Sequence, residues 1–182
     1  MEVFFLLLAL LANPAPAEPK LLLAGDSLAV GLTAEFKALA KARGWRAYAD
    51  GRVGTRVDQW VRWLPKDLAT YHPDVVYLSL GTNDATPETD RLYRHPEMVT
   101  KIALQVAGAH AKLVWIGPPT LPKRLTRQDA VRTLIRDRVL PYYDSTLFEF
   151  ERTPDHIHAT PKGYRDWMDA IWSWSRVQGA IP

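Results

Sequence analysis

The sequence predicts an α/β fold in which a five-stranded parallel sheet is covered by helices on both faces. Two observations carry this prediction. Beyond residue 19, short apolar segments alternate with longer segments whose apolar residues recur at helical spacing. The segment Asp74–Leu80 is a continuous run of mostly β-branched, aliphatic and aromatic residues, which is typical of a strand buried on both faces. Strands that alternate with helices form parallel sheets, because each helix returns the chain to the same edge.

Five short apolar segments are predicted as strands. Most are followed by glycine, proline or asparagine, where a strand gives way to a loop. The two longest connections, Gly81–His95 and Gly117–Arg127, follow the third and fourth strands, at the edge where such sheets bind ligands. In chain order the predicted strands are Lys20–Ala24, Trp45–Ala49, Asp74–Leu80, Lys112–Ile116 and a fifth that begins at Tyr142–Asp144.

Apolar stripes predict the helices, and residues that start or stop helices bound them. Gly44 indicates the end of the first helix, Pro65 the end of the second and Pro141 the end of the fourth. Pro96 suits the first position of the third helix, and Thr160 before a proline suits the N-cap of the last. The stripes run over Leu28–Leu39, Val57–Leu64, Val99–Ala109, Val131–Val139 and Tyr164–Trp174.

The composition is that of one globular domain. The chain has 182 residues, of which 47% are hydrophobic and 24% charged. It has no cysteine, which excludes disulfides, cysteine-ligated zinc or iron–sulfur sites and a thiol nucleophile. The formal charge is +3, but the basic residues are scattered rather than clustered, so no nucleic-acid partner is expected. The sequence carries no indication of oligomeric state.

The N-terminal segment has the features of a signal peptide. The apolar run Val3–Ala12 is shorter than the roughly 20 residues that span a bilayer. The small residues of Ala15–Ala17 follow it, so we predict cleavage after Ala17, a domain over 18–182 and export to the periplasm or medium without stable membrane insertion. One feature departs from this pattern, because the segment before the run contains Glu2 and no basic residue. The alternative interpretation is a buried first strand.

Polar residues and glycines follow the first three predicted strands, where they would share one edge of the sheet. Ser27 comes directly after the first strand, where its hydroxyl can attack a substrate and its N–H can bind an oxyanion, or where it serves only as an N-cap. Gly54 lies in the turn after the second strand, which lets the backbone approach a ligand or forms an ordinary turn. Asn83, after the third strand, is a neutral donor for an oxyanion or the centre of an Asx turn.

An acid and two histidines lie close together before the last helix. Asp155 can hold one imidazole nitrogen of His158, leaving the other to take the proton of Ser27. Two alternatives remain open from spacing alone. His156 is a second candidate for the base, and His156 with His158 is a candidate metal pair.

Together these segments resemble the SGNH, or GDSL-type, hydrolases. The matching blocks occur in the family's order and span most of the chain beyond residue 17. Each block follows a predicted strand except the last, which precedes the final helix. Two positions depart from the family's usual last block, His156 where glycine is usual and Ala159 where proline or leucine is usual. The blocks are GDSLAVGL at 25–32, Gly54, GTND at 81–84 and DHIHATPKGY at 155–164.

The resemblance implies a three-layer α/β/α sandwich of flavodoxin-like type and a serine esterase. Ser27 would be the nucleophile, His158 the base and Asp155 the group that orients it. The oxyanion hole would consist of the N–H groups of Ser27 and Gly54 and the side chain of Asn83. The reaction would pass through an acyl-enzyme and need no metal or organic cofactor.

The resemblance leaves the substrate open, since one fold serves many esters. We expect short acyl groups as substrates, chiefly O-acetyl groups of a carbohydrate or envelope polymer. The alternatives are a lysophospholipase or acyl-thioesterase, an acyltransferase, and a non-catalytic carbohydrate-binding module on the same fold.

Basic and aromatic side chains near the predicted strand ends are a second indication of the substrate. Arg52 and Arg56 flank Gly54, and Lys123, Arg124 and Arg127 follow the fourth strand; they suit a polar or anionic substrate or form a solvated face. The helical stripes and the fourth strand place Trp60, Trp115, Trp167 and Trp174 in the core, whereas Trp63 and Trp172 lie off the stripes and are candidates for exposure.

Overall fold

The parallel sheet is the centre of the molecule. The computed structural model describes residues 18–85, 96–122 and 126–182. Its five strands pair in parallel in the order β2-β1-β3-β4-β5. This confirms the predicted α/β fold with a five-stranded parallel sheet. The strands are β1 Lys20–Gly25, β2 Arg46–Gly51, β3 Val75–Ser79, β4 Lys112–Ile116 and β5 Tyr142–Tyr143.

Helices cover both faces of the sheet, so the molecule has three layers. Successive side chains of a strand point to opposite faces, and β1 shows this directly. Leu22 packs with α2, α3 and α4, whereas Leu21 and Leu23 pack with α1 and α5. The helices are α1 Ser27–Lys41, α2 Val57–Tyr71, α3 Glu97–Gly108, α4 Gln128–Arg136 and α5 Pro161–Val177.

Several predicted boundaries differ from the structure. Pro96 is the N-cap of α3 rather than its first residue, and α4 ends at Arg136, well before Pro141. Gly44, with a φ of 70°, follows the end of α1 as predicted. Thr160 caps α5 as predicted, since its hydroxyl accepts from the N–H of Gly163. The predicted signal peptide, residues 1–17, lies outside the described residues.

The prediction that α2 ends at Pro65 was wrong, because the helix continues to Tyr71. Proline has no N–H, so the carbonyl of Val61 loses its partner within the helix. Gln105 on α3 replaces that partner, with its amide Nε2 donating to Val61 O at 2.9 Å. A side chain 44 residues away thus satisfies the carbonyl that the proline orphans.

Replacing Gln105 by leucine should destabilise the protein by about 1 kcal/mol, because the Val61 carbonyl would be left without its donor at the α2–α3 contact. The free energy of unfolding in urea measures this. The matched control is Gln178→Leu at the exposed end of α5, where we expect little change. Equal stability of the two variants would contradict the compensating role of Gln105.

The expectation that Trp172 is exposed was wrong, since its exposed fraction is 2%. Its ring packs against Phe36 on α1, Tyr77 on β3 and Trp45, with centroid distances of 6.1, 6.4 and 5.7 Å. The stripe used for prediction was narrower than the apolar face that α5 presents to the sheet and to α1. Trp63 is half-buried.

Candidate active site

Ser27 stands where β1 turns into α1. Gly25 has a φ of 145°, and a Cβ there would lie 2.0 Å from the carbonyl oxygen of Ser79, so the turn requires glycine. The N-cap of α1 is Asp26, whose carboxylate accepts from the N–H of Leu28 at 2.9 Å. Ser27 is therefore the first helical residue, and its N–H is among those that have no acceptor within the helix.

The structure brings Ser27, His158 and Asp155 into one hydrogen-bonded chain. His158 Nε2 lies 2.9 Å from Ser27 Oγ, across 131 residues of sequence. His158 Nδ1 lies 2.6 Å from Asp155 Oδ2. A carboxylate at Nδ1 keeps the proton on that nitrogen, so Nε2 is the nitrogen that accepts from the Ser27 hydroxyl. Of the two histidines that spacing left open, His158 is the one hydrogen-bonded to the serine.

Asp155 also organises the turn that carries His158. Its Oδ1 accepts from the hydroxyl of Thr153 at 2.7 Å and from the N–H groups of Ile157 and His158 at 2.9 and 3.0 Å. The hydrogen bond from the His158 ring, followed by that from the Ile157 N–H, holds the pKa of the Asp155 carboxyl well below its usual range. One oxygen therefore fixes the loop while the other faces the imidazole.

Besides the N–H of Ser27, the candidate oxyanion donors come from the loops after β2 and β3. Gly54 has a φ of 73° in the loop between β2 and α2. Asn83 lies in a short 3₁₀ turn directly after β3, and its Nδ2 donates to Thr55 O at 2.9 Å. This hydrogen bond ties the turn of Asn83 to the loop of Gly54. The same amide lies 3.5 Å from Asp26 Oδ2, a long contact beside Ser27.

Two hydrogen bonds of the Thr55 hydroxyl fix the loop that contains Gly54. The Thr55 hydroxyl donates to Arg52 O at 2.7 Å and accepts from the indole N–H of Trp60 on α2 at 2.9 Å. Sequence reasoning did not single out Thr55. Its position next to Gly54 was visible, but its contacts with Trp60 and Asn83 arise only in the folded chain.

Two buried carboxyl groups, which sequence reasoning did not assign to the site, lie next to Ser27 and Asn83 in the chain. Asp26 and Asp84 are 0% and 2% exposed. Asp26 caps α1, whereas Asp84 Oδ2 lies 3.3 Å from the N–H of Val57 at the start of α2. Burial is the largest cause that raises the pKa of Asp26 to about 7, and likewise that of Asp84 to about 7.

These raised pKa values predict that stability falls as the pH rises. A carboxyl whose pKa is about 7 when folded and 3.8 when unfolded binds its proton more tightly in the native state. Its stabilisation is complete below pH 4 and is lost as the pH rises toward 7. In Asp84→Asn we expect a shallower fall of the free energy of unfolding between pH 4 and pH 7, measured in urea. The exposed Asp137→Asn is the control, and an unchanged pH dependence in Asp84→Asn would contradict the assignment.

The arginines beside Gly54 already have carboxylate partners. Arg52 binds Asp50 through Nη2 at 2.6 Å and Nε at 3.0 Å, and its guanidinium lies 4.4 Å from the centroid of the Trp63 ring. Arg56 Nε lies 3.4 Å from Asp58. These pairs neutralise the two cations, so they add little attraction for an anionic substrate. Of the basic residues after the fourth strand, Lys123 and Arg124 lie outside the described residues.

The alternative of a metal pair formed by His156 and His158 finds no further ligand in the described ranges, where no three His, Asp or Glu residues cluster as metal ligands. Both ring nitrogens of His158 are hydrogen-bonded, so a metal ion would have to displace Ser27 or Asp155. In the part of the chain that the structure describes, no helix is both long and apolar enough to cross a bilayer.

The sequence blocks and the fold point to one family. Residues 23–165 match the GDSL-like lipase/acylhydrolase family, over most of the described chain. The chain belongs to this family. The predicted resemblance to SGNH hydrolases is thereby confirmed, and the family is one of acylhydrolases.

Comparisons with individual proteins give a relative in sequence and solved structures of the same fold. Protein BcsX of Komagataeibacter xylinus is 29% identical over 126 residues. The match covers 63% of this chain and 46% of BcsX, so the chain spans about half the length of that relative. An acetyl xylan esterase, AlAXEase, has the same fold with a TM-score of 0.73 at 17% identity, covering 85% of this chain and 98% of that one. A lipase/acylhydrolase from Enterococcus faecalis gives 0.70 at 20% identity, covering 88% and 96%.

Proposed function

We propose that this GDSL-like acylhydrolase is a serine esterase that removes short acyl groups, chiefly O-acetyl, from a carbohydrate or envelope polymer. The observation that carries the catalytic part is the hydrogen-bonded chain from Asp155 through His158 to Ser27. A hydroxyl at a helix N-terminus, a base within 2.9 Å and a carboxylate that orients the base are the parts that acyl transfer to serine requires.

In the proposed reaction, Ser27 Oγ attacks the ester carbonyl carbon and its proton passes to His158 Nε2. The tetrahedral intermediate collapses when the bond to the alcohol oxygen breaks and His158 returns the proton to that oxygen. The acetyl group remains on Ser27. A water molecule, deprotonated by His158, then attacks the acyl-enzyme and releases acetate.

The negative oxygen of the intermediate would be held by N–H donors at the edge of the sheet. The N–H of Ser27 lies at the start of α1, and the described residues place no acceptor on the N–H of Gly54. Asn83 has two amide hydrogens, one of which is engaged by Thr55 O at 2.9 Å. The second, with only the long contact to Asp26, is available to the oxyanion.

The substrate proposal has separate support. A protein of the same fold is an acetyl xylan esterase, and the cleft beside the candidate triad has mixed polar and aromatic walls. The predicted signal peptide is the basis for proposing export, which would place the enzyme with envelope or extracellular polymers. The intact mass of the protein recovered outside the cytoplasm tests the cleavage after Ala17.

Hydrolysis of p-nitrophenyl esters from acetyl to palmitoyl tests the proposed acyl preference. We expect kcat/KM to be highest for acetyl and to fall with chain length. A maximum at long chains would indicate the lysophospholipase or thioesterase alternative. Acyl transfer to an added alcohol in excess of hydrolysis would indicate a transferase, and binding of a polymer without any ester turnover would indicate a non-catalytic module.

A further inference from the structure

A cleft of about 390 Å³ lies beside the turn that carries His158, within the size range of about 300–1,000 Å³ that small-molecule sites occupy. The loops after β4 and β5, residues 120–122 and 146–152, form most of its wall, and His156 completes it. Ser27 and His158 do not line the cleft. It is therefore an adjoining space and not the place where the bond is broken.

His156 lines the cleft and belongs to the turn that carries His158, and its backbone conformation is unusual. His156 has a φ of 59°, a left-handed conformation that glycine adopts without cost and that β-carbon-bearing residues rarely adopt. Its N–H donates to Thr153 O at 2.9 Å, so the strained position belongs to the turn itself. His72 and His110 share this left-handed conformation, so it is the place of His156 on the cleft wall that points to a use for its imidazole.

Arg152 fixes the same turn to the cleft wall. Its Nη1 donates to Ile157 O at 3.0 Å, and its guanidinium lies 4.2 Å from the centroid of the Phe150 ring. Phe150 in turn stacks on Trp167 of the core at 4.6 Å. The position of His156 over the cleft is thus tied to the hydrophobic core.

The chemistry of the proposed reaction decides which part of the substrate faces the cleft. The candidate donors for the carbonyl oxygen follow β1, β2 and β3, whereas His158 and the cleft follow β4 and β5. His158 must give its proton to the departing alcohol oxygen, so that oxygen lies against Nε2. The alcohol portion of the ester then extends toward His158. The cleft lies on that side, because His156, two residues before His158, lines it.

We propose that this cleft binds the alcohol portion of the ester as a carbohydrate, and that His156 is a specificity-determining residue that hydrogen-bonds a sugar hydroxyl. This inference rests on the proposed function and names the substrate class of the same site. The wall combines Thr120, Thr146 and Glu149 with the aromatic ring of Phe148. Sugar hydroxyls can hydrogen-bond the polar groups, and the apolar faces of a sugar ring can pack on the aromatic surface.

A lipid alcohol suits the same walls less well. An alkyl chain in the cleft would bury the Glu149 carboxylate and the His156 imidazole without partners, which costs free energy. A neutral, hydroxyl-rich alcohol is therefore the class that these walls favour.

The test compares two acetyl esters that differ only in the alcohol, ethyl acetate and O-acetylated xylooligosaccharide. In His156→Gly we expect kcat/KM for the oligosaccharide to fall about tenfold, since one hydrogen bond to the sugar is lost. The value for ethyl acetate should stay within about twofold, because ethanol is too small to reach the cleft. His156→Asn should restore part of the loss, since asparagine tolerates a positive φ and keeps hydrogen-bonding groups.

His110→Gly is the matched control, because His110 is an exposed histidine with a φ of 58° at the far end of α3. It relieves the same backbone strain and should leave the ratio of the two kcat/KM values unchanged. An unchanged ratio in His156→Gly, or an equal loss on both esters, would overturn the inference while leaving the esterase proposal intact. If the wild-type enzyme hydrolyses neither ester, the proposed function itself fails.

Discussion

Replacing Ser27 by alanine should lower kcat/KM for p-nitrophenyl acetate by about 10⁴- to 10⁶-fold, because the substitution removes the proposed nucleophile, the atom that would form the acyl-enzyme. Water is then the only nucleophile, and His158 has no hydroxyl to deprotonate at 2.9 Å. The oxyanion donors remain, so a small rate above the uncatalysed reaction should persist. The fold should be unaffected, since Asp26 and not Ser27 caps α1.

The matched control for this variant is Ser173→Ala, an exposed serine on α5. It should retain full activity. When the reaction with a labelled acetyl ester is quenched rapidly, the labelled acetyl group should be attached to the wild-type protein and absent from Ser27→Ala. If Ser27→Ala keeps more than a few per cent of the wild-type kcat/KM, the assignment of the nucleophile is wrong.

The second large effect is expected for Asp155→Asn, which should lower kcat by about 10³-fold or more. Asparagine has nearly the same shape, and its Oδ1 can still accept from Thr153, Ile157 and the His158 N–H. Its amide nitrogen would instead face His158 Nδ1, which lies 2.6 Å from the carboxylate in the wild type. To avoid two opposed donors the ring moves its proton to Nε2, which can then no longer accept the proton of Ser27.

Water moderates this effect, because the Asp155 and His158 side chains are 43% and 37% exposed. The loss should therefore be smaller than for Ser27→Ala. The exposed Asp169→Asn on α5 is the control. The urea midpoint of Asp155→Asn should remain near the wild-type value, which separates a catalytic effect from unfolding of the turn. An Asp155→Asn variant with more than a tenth of the wild-type kcat would show that the carboxylate does not orient the base.

The candidate site was predictable to the extent that it depends on local sequence patterns. Ser27, Asn83 and the glycine loop were recognised because each follows an apolar strand, and parallel strands bring their carboxyl ends to one edge. Asp155 and His158 were recognised as a pair because a turn can place residues three apart on one side. Spacing did not choose between His156 and His158, because that choice depends on which imidazole meets a hydroxyl 131 residues away.

Several features depended on partners that are remote in sequence. The helix α2 passes Pro65 because Gln105 of α3 binds the carbonyl that the proline leaves unpaired. Trp172 is buried because it meets Phe36 and Tyr77 from other elements. Such contacts have no signature in a local window of sequence, since the window contains only one of the two partners.

The amino-acid sequence by itself determined the α/β class, the approximate places of the strands and helices, and the family to which the chain belongs. These follow from hydrophobic period, turn residues and short motifs, all of which act between near neighbours in the chain. Only the tertiary structure decided the strand order β2-β1-β3-β4-β5, the pairing of Arg52 with Asp50 and the raised pKa of the buried Asp26 and Asp84. Strand order, ion pairing and desolvation depend on distances through space, which the chain acquires only when its core has packed.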